Sequence, residues 1–476
     1  MSAPVTPMPT GTQFATAFDG RLEPKRVSIL YRLGLLAAAT VMVTLPLIYV
    51  ACVAGVAAAV WWHATHDLWI VKTSMAAPRI GIVVAILYAT PIIAGALMVL
   101  FMLAPLWPRR SFERKYYWVN EREQPLLYAY VNRLCDAMRA PRPSRINLVA
   151  DGNAWVHSDN GWRGLVRRRL VLTIGLPLVA AMDLRTFTGV LAHEMGHFAQ
   201  GGSMRLSLVV NSINAWLARL AWAPSPADAM IDDMVGGEGH WILVLIGGCA
   251  KLGIAVARLI FKGLAIVGHA VSRGLSRQAE FDADHQAARV VGGEAAAKGL
   301  EAVLYIDAAH TIAMFTAQQA WAGRQLPDDL VELSDRARRR LPEKTKTSIE
   351  ASVLSQDASW FDTHPPIFKR MGRLKKGGLK GVLKLDAPAT CLFKDFDELS
   401  KCVTIDAYQA VLGPKLQPEH LVPLAPLPAE PPVTASTARP ARSPGGSPDA
   451  RARTASRSIG SGTSSRPSAP ARPPRT

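Results

Sequence analysis

Cysteine is scarce in this chain, and what there is forms no pattern. There are 5 cysteines in 476 residues (Cys52, Cys135, Cys249, Cys391 and Cys402), and no two of them make a C-x-x-C. A disulfide framework and a thiolate zinc site are thereby excluded, and the usage fits a reducing compartment. Charge is thin as well. Charged residues make up 19% of the chain against 49% hydrophobic, and mean hydropathy is +0.14; soluble domains carry roughly 25% charge. Acidic residues are the scarcer kind, 37 against 54 Lys and Arg, leaving a net charge of +17.

The missing charge is missing in blocks. Leu33 to Trp62 holds no charged residue, and neither does Ile80 to Pro108. Each run exceeds the about 20 apolar residues that cross a bilayer. The first starts too late and runs too long for a cleaved signal peptide, so an uncleaved anchor is expected. Pro91 in the second is tolerated as a kink in a membrane helix. Arg21, Lys25, Arg26 and Arg32 precede the first run, and Arg109, Arg110, Arg114 and Lys115 follow the second; the loop between holds only Lys72 and Arg79. The positive-inside rule then places both ends in the cytoplasm.

What is present is Leu191-Ala192-His193-Glu194-Met195-Gly196-His197-Phe198, an H-E-x-x-H. Residues four apart share a helix face, so His193 and His197 can put two imidazole nitrogens on one metal. Glu194 can then reach a water on that metal as general base. Zinc, one per chain, suits imidazole ligands and a hydrolase with no redox step. The run from Asp183 to His197 reads as a helix, with Asp183 as N-cap and Leu184, Phe187, Leu191 and Met195 as its apolar stripe. The extended form with a third histidine is excluded, because Gln200 and Ser203 stand where Gly and His would be. A distant carboxylate is the remaining route to three protein ligands. Downstream, Ser276-Arg277-Gln278-Ala279-Glu280-Phe281-Asp282-Ala283-Asp284 places Glu280 and Asp284 four apart on a helix. One could bind metal while the other orients a ligand histidine; an ordinary solvated acidic face would look the same.

These two stretches together resemble the HtpX-type membrane zinc endopeptidases, relatives of the CAAX prenyl endopeptidases and of BepA. The resemblance implies Glu280 as third zinc ligand and Asp284 as brace for His193. Two further stretches carry it. Asn153-Ala154-Trp155 is similar to the family's cleft strand, which pairs with substrate backbone; its alternative is plain sheet core. Phe361-Asp362-Thr363-His364-Pro365-Pro366 with Arg370 resembles the late T-H-P-P…R motif. There His364 or Arg370 would stabilise the oxyanion of amide hydrolysis, or His364 would cap zinc in a latent state. The resemblance covers roughly residues 120 to 375.

The expected fold is therefore mostly α with a small β-sheet: two N-terminal transmembrane helices followed by a gluzincin-type metalloprotease domain. Residues 1–27 read as a disordered N-terminus, 28–108 as the two spans, and 109–422 as the protease domain. A helix is expected over 121–140. Strands are expected at Ile146 to Ala150, Asn153 to His157 and Leu170 to Ile174, with a basic turn at 163–169. Two apolar stretches after the metal helix form a membrane-associated helical insert over 203–271, with a break at Gly236-Gly237. Its second half carries Lys251, Arg258, Lys262 and His269 on one helical face, which suits a membrane-dipping hairpin better than two clean spans. Residues 293–355 read as helical, and 376–422 carry no readable role.

From Pro423 the chain is a Pro/Ser/Arg-rich tail that cannot form a core, so a disordered segment drawn to anionic lipid is expected. No aromatic interleaving points to specific nucleic acid. The function that follows is a membrane-anchored zinc-dependent endopeptidase of the bacterial inner membrane, acting on protein or peptide substrates; the resemblance implies misfolded or surplus membrane proteins. A CAAX-type prenyl-protein protease, with many more spans, and an inactive metal-binding scaffold, for which Glu194 would be superfluous, are the alternatives.

Overall fold

The computed structural model describes residues 17–18, 22, 29–74, 78–103, 116–159, 169–199, 202–223, 232, 241–355, 365–383 and 385–424. Two cores organise them, one in a bundle of apolar helices and one in a mixed α/β domain.

The bundle begins with α1 (Ile29–His66), a helix of 38 residues, or about 57 Å at 1.5 Å per residue. Leu35, Ala38, Met42, Leu45, Tyr49 and Val53 recur every three or four residues and are buried. The rest of its surface is also apolar: Leu33, Leu36, Val43, Leu47 and Val50 are exposed. A helix apolar all round belongs in lipid. After a short α2 (Leu68–Ser74), α3 (Pro78–Leu103) returns along α1. Two more helices complete the bundle, and both also pack against α1: α7 (Gly202–Trp222) and α8 (Trp241–Val291). Tyr49 ties three of the four together. Its hydroxyl donates to the Met102 carbonyl at 2.7 Å, and its ring stacks on Phe261 at 4.0 Å. Close approach depends on small residues, as in membrane bundles generally. A Cβ on Gly268 would lie 2.8 Å from Asn214 Oδ1 and 3.1 Å from Leu45 and Met42.

Four helical stretches among the described residues are long and apolar enough to cross a membrane: Ile29–Thr73, Ile80–Leu103, Gly247–Val291 and Gly293–Trp321. The last of these lies in α9 (Gly293–Trp321), which packs instead inside the second domain. The expected boundary at 271 falls inside α8, whose 51 residues run without interruption from the bundle into the second domain. Of the four cations expected on one face of α8, Lys262 is exposed, and the other three have protein surroundings. Lys251 pairs with Asp232 at 2.8 Å, Arg258 donates to the Ala223 carbonyl, and His269 is buried.

The second domain has a four-stranded sheet in the order β1-β2-β4-β3. Its strands are β1 (Tyr117–Val119), β2 (Arg145–Val149), β3 (Ala154–Ser158) and β4 (Leu170–Gly175); β2 and β4 are parallel, and the outer pairs are antiparallel. Ile146, Leu148, Ala154, Leu172 and Ile174 alternate onto the core face. Helix α4 (Pro125–Met138) covers this core. It starts later than 121 because Pro125 takes a first-turn position, while the Asn120 side chain accepts from the Arg122 and Glu123 amides. Helix α5 (Leu176–Ala181) leads into the metal helix α6 (Leu184–Gly196).

Beyond α9, the expected helical run 293–355 breaks into α10 (Leu330–Arg339) and α11 (Glu343–Leu354). Gly323, Pro327 and Pro342 lie in the breaks. Then come α12 (Ile367–Lys376) and α13 (Phe396–Leu412). A short parallel pair, β5 (Leu326–Pro327) with β6 (Leu421–Val422), ties the end of this domain to α9.

One expectation is corrected. The N-terminus is not wholly free: Ala17, Phe18 and Leu22 are buried in the second domain's core, where Phe18 meets the Tyr130 ring at 5.5 Å and bridges to Leu383. Phe14, Phe18 and Leu22 recur every four residues, a short apolar signal inside a polar Pro/Thr-rich stretch that a reading by composition passes over. Residues 376–422, unreadable in sequence, supply Leu392, Val403 and Tyr408 to the same core. Because Phe18 precedes α1 and Tyr130 follows α3, both ends of the α1–α3 hairpin meet on one side. The basic turn at 163–168, the break at Gly236-Gly237 and the tail from 425 lie outside the described residues.

Gly268→Val should destabilise the bundle by about 1–3 kcal/mol, the usual range for overpacking. Gly263→Val, at a position with no neighbouring atom within 4 Å, serves as the control and should change stability far less. Thermal unfolding in detergent distinguishes the two.

Candidate metal centre

Helix α6 starts where local chemistry says it should. Asp183 caps it, accepting from the Thr186 amide at 2.7 Å. Leu184, Phe187, Leu191 and Met195 are all fully buried. Thr188 adds a polar anchor, sharing a hydrogen bond with the buried Tyr130 hydroxyl. The helix is thus held on its apolar side while His193 and His197 project from another. Their rings lie 4.9 Å apart and nearly perpendicular.

Glu280 reaches them from α8. The two helices cross where Gly196 meets Ala283: a Cβ on Gly196 would lie 3.2 Å from the Ala283 Cα. Two small residues at the crossing bring α8 close enough for a short carboxylate arm to span the gap. Glu280 Oε2 is 3.5 Å from His193 Nε2, and Oε1 is 3.6 Å from His197 Nε2. The ligand atoms of the three residues all lie within 4.8 Å of one another. A tetrahedral zinc with ligands at about 2.0–2.2 Å requires donors about 3.3–3.6 Å apart. The two short separations run to different oxygens of Glu280, and the three donors lie within 4.8 Å of one another, so two imidazoles and one carboxylate can converge on such an ion with a position left for water. Glu194 is half-buried next to His193, and its charge is felt by Arg370.

Asp284, one turn beyond Glu280, places Oδ1 3.0 Å from His193 Nδ1. It is itself gripped by Arg370 of α12, with Nε at 2.8 Å from Oδ2 and Nη2 at 2.7 Å from Oδ1. Burial alone would lower the His193 pKa, but its hydrogen bonds to Asp284 and Glu280 outweigh that and raise it to about 9. The bonds and charge of Asp284 likewise hold Arg370 firmly cationic against the penalty of its burial.

Strand β3 lies beside α6. The amide of Gly175 donates to Asn153 O, and that of Asp159 donates to Arg169 O. With the register Trp155↔Thr173, this turns the main-chain groups of Trp155 and His157 inward to β4. Ala154, Val156 and Ser158 therefore present theirs outward, where no described strand pairs with them. The Asn153 side chain already accepts from the Ala154 amide at 2.9 Å. Of the expected cleft residues, then, Asn153 caps the strand, Ala154 presents a carbonyl, and Trp155 serves the sheet. Val156 carries the first open N–H. Alternation of two would have pointed to it, had the inward partner been known.

Sequence reading placed His193, Glu194, His197, Glu280, Asp284 and Arg370 at one site, and the fold brings all six together. His364 lies outside the described residues.

The description "Peptidase family M48" matches residues 121–377, more than half of the chain. The chain belongs to peptidase family M48. The matched interval runs from just before α4 to the end of α12 and contains every residue of the metal centre. Curated relatives agree. Protease HtpX of Thioalkalivibrio sulfidiphilus is 28% identical over 163 residues, covering 34% of this chain and 50% of the relative. Protease HtpX of Escherichia coli O127:H6 is 24% identical over 261 residues, covering 54% and 74%. The Protease HtpX homolog of Bacillus subtilis is 24% identical over 218 residues, covering 44% and 57%. The chain spans about half the length of the first of these relatives it matches. No solved structure matches it.

Gly196→Val should force α6 and α8 apart and strip the centre of metal. Metal content per chain, measured on purified protein, should fall from about one to near none, while the circular dichroism keeps its helical form.

Proposed function

We propose that this M48 chain is a membrane-anchored zinc endopeptidase whose centre is His193, His197 and Glu280. The observation that carries the reading is this trio with its donor atoms within 4.8 Å of one another, with Glu194 adjacent and an open strand edge alongside. His193, His197 and Glu280 would hold the zinc, which when bound would supply a Lewis acid for the scissile carbonyl and lower the pKa of a water towards about 7. Glu194 takes the proton of the attacking water and hands it to the leaving amine. The substrate backbone adds to β3 as a further strand, which reads main chain rather than side chains and so tolerates many sequences. His364 remains the candidate for the oxyanion or for a latent cap.

The bundle sits in the bilayer, and the continuity of α8 holds the centre close to its surface. The charge asymmetry about α1 and α3, with Phe18 seated on the protease domain, supports a cytoplasmic site on a bacterial inner membrane. Substrates are misfolded or surplus membrane proteins, and the basic tail rests on anionic lipid.

Glu194→Gln tests the chemistry. Purified variant and wild type should both hold about one zinc, and only wild type should cleave casein. Zinc without cleavage in either would indicate a latent centre, and no zinc in either would end the metallopeptidase reading.

Val156→Pro tests the strand edge. It removes an outward N–H and leaves the β3–β4 ladder intact, as proline at an edge can. Cleavage should drop at least tenfold with zinc retained, whereas Trp155→Pro, which breaks the ladder, should also lower thermal stability.

A further inference from the structure

We propose that Arg370 is a positioning residue for the metal centre, acting on His193 through Asp284 and by its own contact with the ring, and not a group that binds the oxyanion. The inference rests on the zinc-peptidase reading above. Arg370 grips one carboxylate with its fork: Nε and Nη2 meet the two oxygens of Asp284 at 2.8 and 2.7 Å, and Nη2 also lies 3.4 and 3.3 Å from His193 Nδ1 and Nε2. Both side chains are almost completely buried, 8% and 6% exposed. Asp284 Oδ1 is shared between Arg370 Nη2 and His193 Nδ1, the latter at 3.0 Å. A carboxylate held on two sides cannot rotate. It therefore takes the proton-bearing side of the imidazole and leaves Nε2 as the metal-facing lone pair. The remaining nitrogen of the guanidinium, Nη1, lies 3.5 Å from Glu280 Oε2, so one cation braces a ligand from each helix.

The anchorage of Arg370 fits this role. Helix α12 is clamped to α8 at two points three residues apart on each helix. Arg370 takes Asp284, and Arg373 lies over the Phe281 ring at 4.0 Å. The pairing fixes α12 in register along the ligand helix, so Arg370 comes to Asp284 already oriented. Lysine would keep the charge but could not span both oxygens. Without the fork, Asp284 would be a buried charge free to leave His193.

The test uses the full-length protein in detergent, with Arg370→Lys, Asp284→Asn and the double variant. Zinc affinity is read by competition with a chromophoric chelator, and folding by thermal unfolding of the metal-free proteins. Each single variant should weaken zinc about 10–100-fold, as lost supports of ligand histidines do. The double variant should lose less than the product of the two single losses, since the two residues share Asp284 Oδ1 in holding His193. Wild-type zinc affinity with lost cleavage in Arg370→Lys would overturn the inference and return Arg370 to the substrate. Losses that multiply in the double variant would overturn it too. Should Arg370→Lys fail to fold, the near-isosteric Asp284→Asn decides alone: wild-type zinc affinity there overturns the inference. If wild type takes up no zinc, the peptidase reading falls, and this inference with it.

Discussion

Everything at the metal centre depends on one close crossing, Gly196 of α6 against Ala283 of α8. A carboxylate arm is short. Glu280 meets both histidines only because neither helix carries bulk where they touch. The crossing is held from outside by the buried stripe of α6 and by the α12 clamp on Asp284 and Phe281. Precise donor spacing is thus a product of packing, since interiors as dense as these transmit small displacements rather than absorbing them.

The same helix α8 joins the two cores. Its first half is packed in an apolar bundle whose outer surface is itself apolar, and its last half carries Glu280 and Asp284. Glu280 lies only five residues past Leu275, which packs on the bundle core, a rise of about 7.5 Å along the helix. A continuous helix of this kind fixes the distance of the centre from the apolar bundle, and no loop intervenes to loosen it. Glycines at 253 and 268 serve close approach and leave the helix unbroken, because neighbouring helices fill the space they leave.

Much of the polar architecture around the centre is arranged in series. Asp183 caps α6, Tyr130 pins Thr188, and Arg370 holds Asp284, which holds His193. The first two links are hydrogen bonds, and the last is a buried bidentate ion pair extended to the imidazole. Their combined effect is to remove freedom from two imidazoles and a carboxylate before any ion arrives, which is how a site keeps its geometry without bulk around the reacting position.

The sequence alone determined what depends on near neighbours. His193 and His197 lie on one face because a helix turns every 3.6 residues, Asp183 caps because its oxygen reaches the Thr186 amide, and the uncharged runs need lipid because their length leaves nothing else to cover them. Glu280 and Asp284 were legible as a pair four apart, and their partners were supplied only by resemblance. Tertiary structure decided the rest. Arg370 is a brace because α12 lands on α8, which no local spacing encodes. Val156 rather than Trp155 offers its N–H because β4 takes the other parity. Phe18 and residues 389–412 join the core through contacts made across more than a hundred residues of chain. Short-range order is written in period and capping, whereas contacts between distant elements depend on which apolar faces find one another, and many sequences satisfy the same faces.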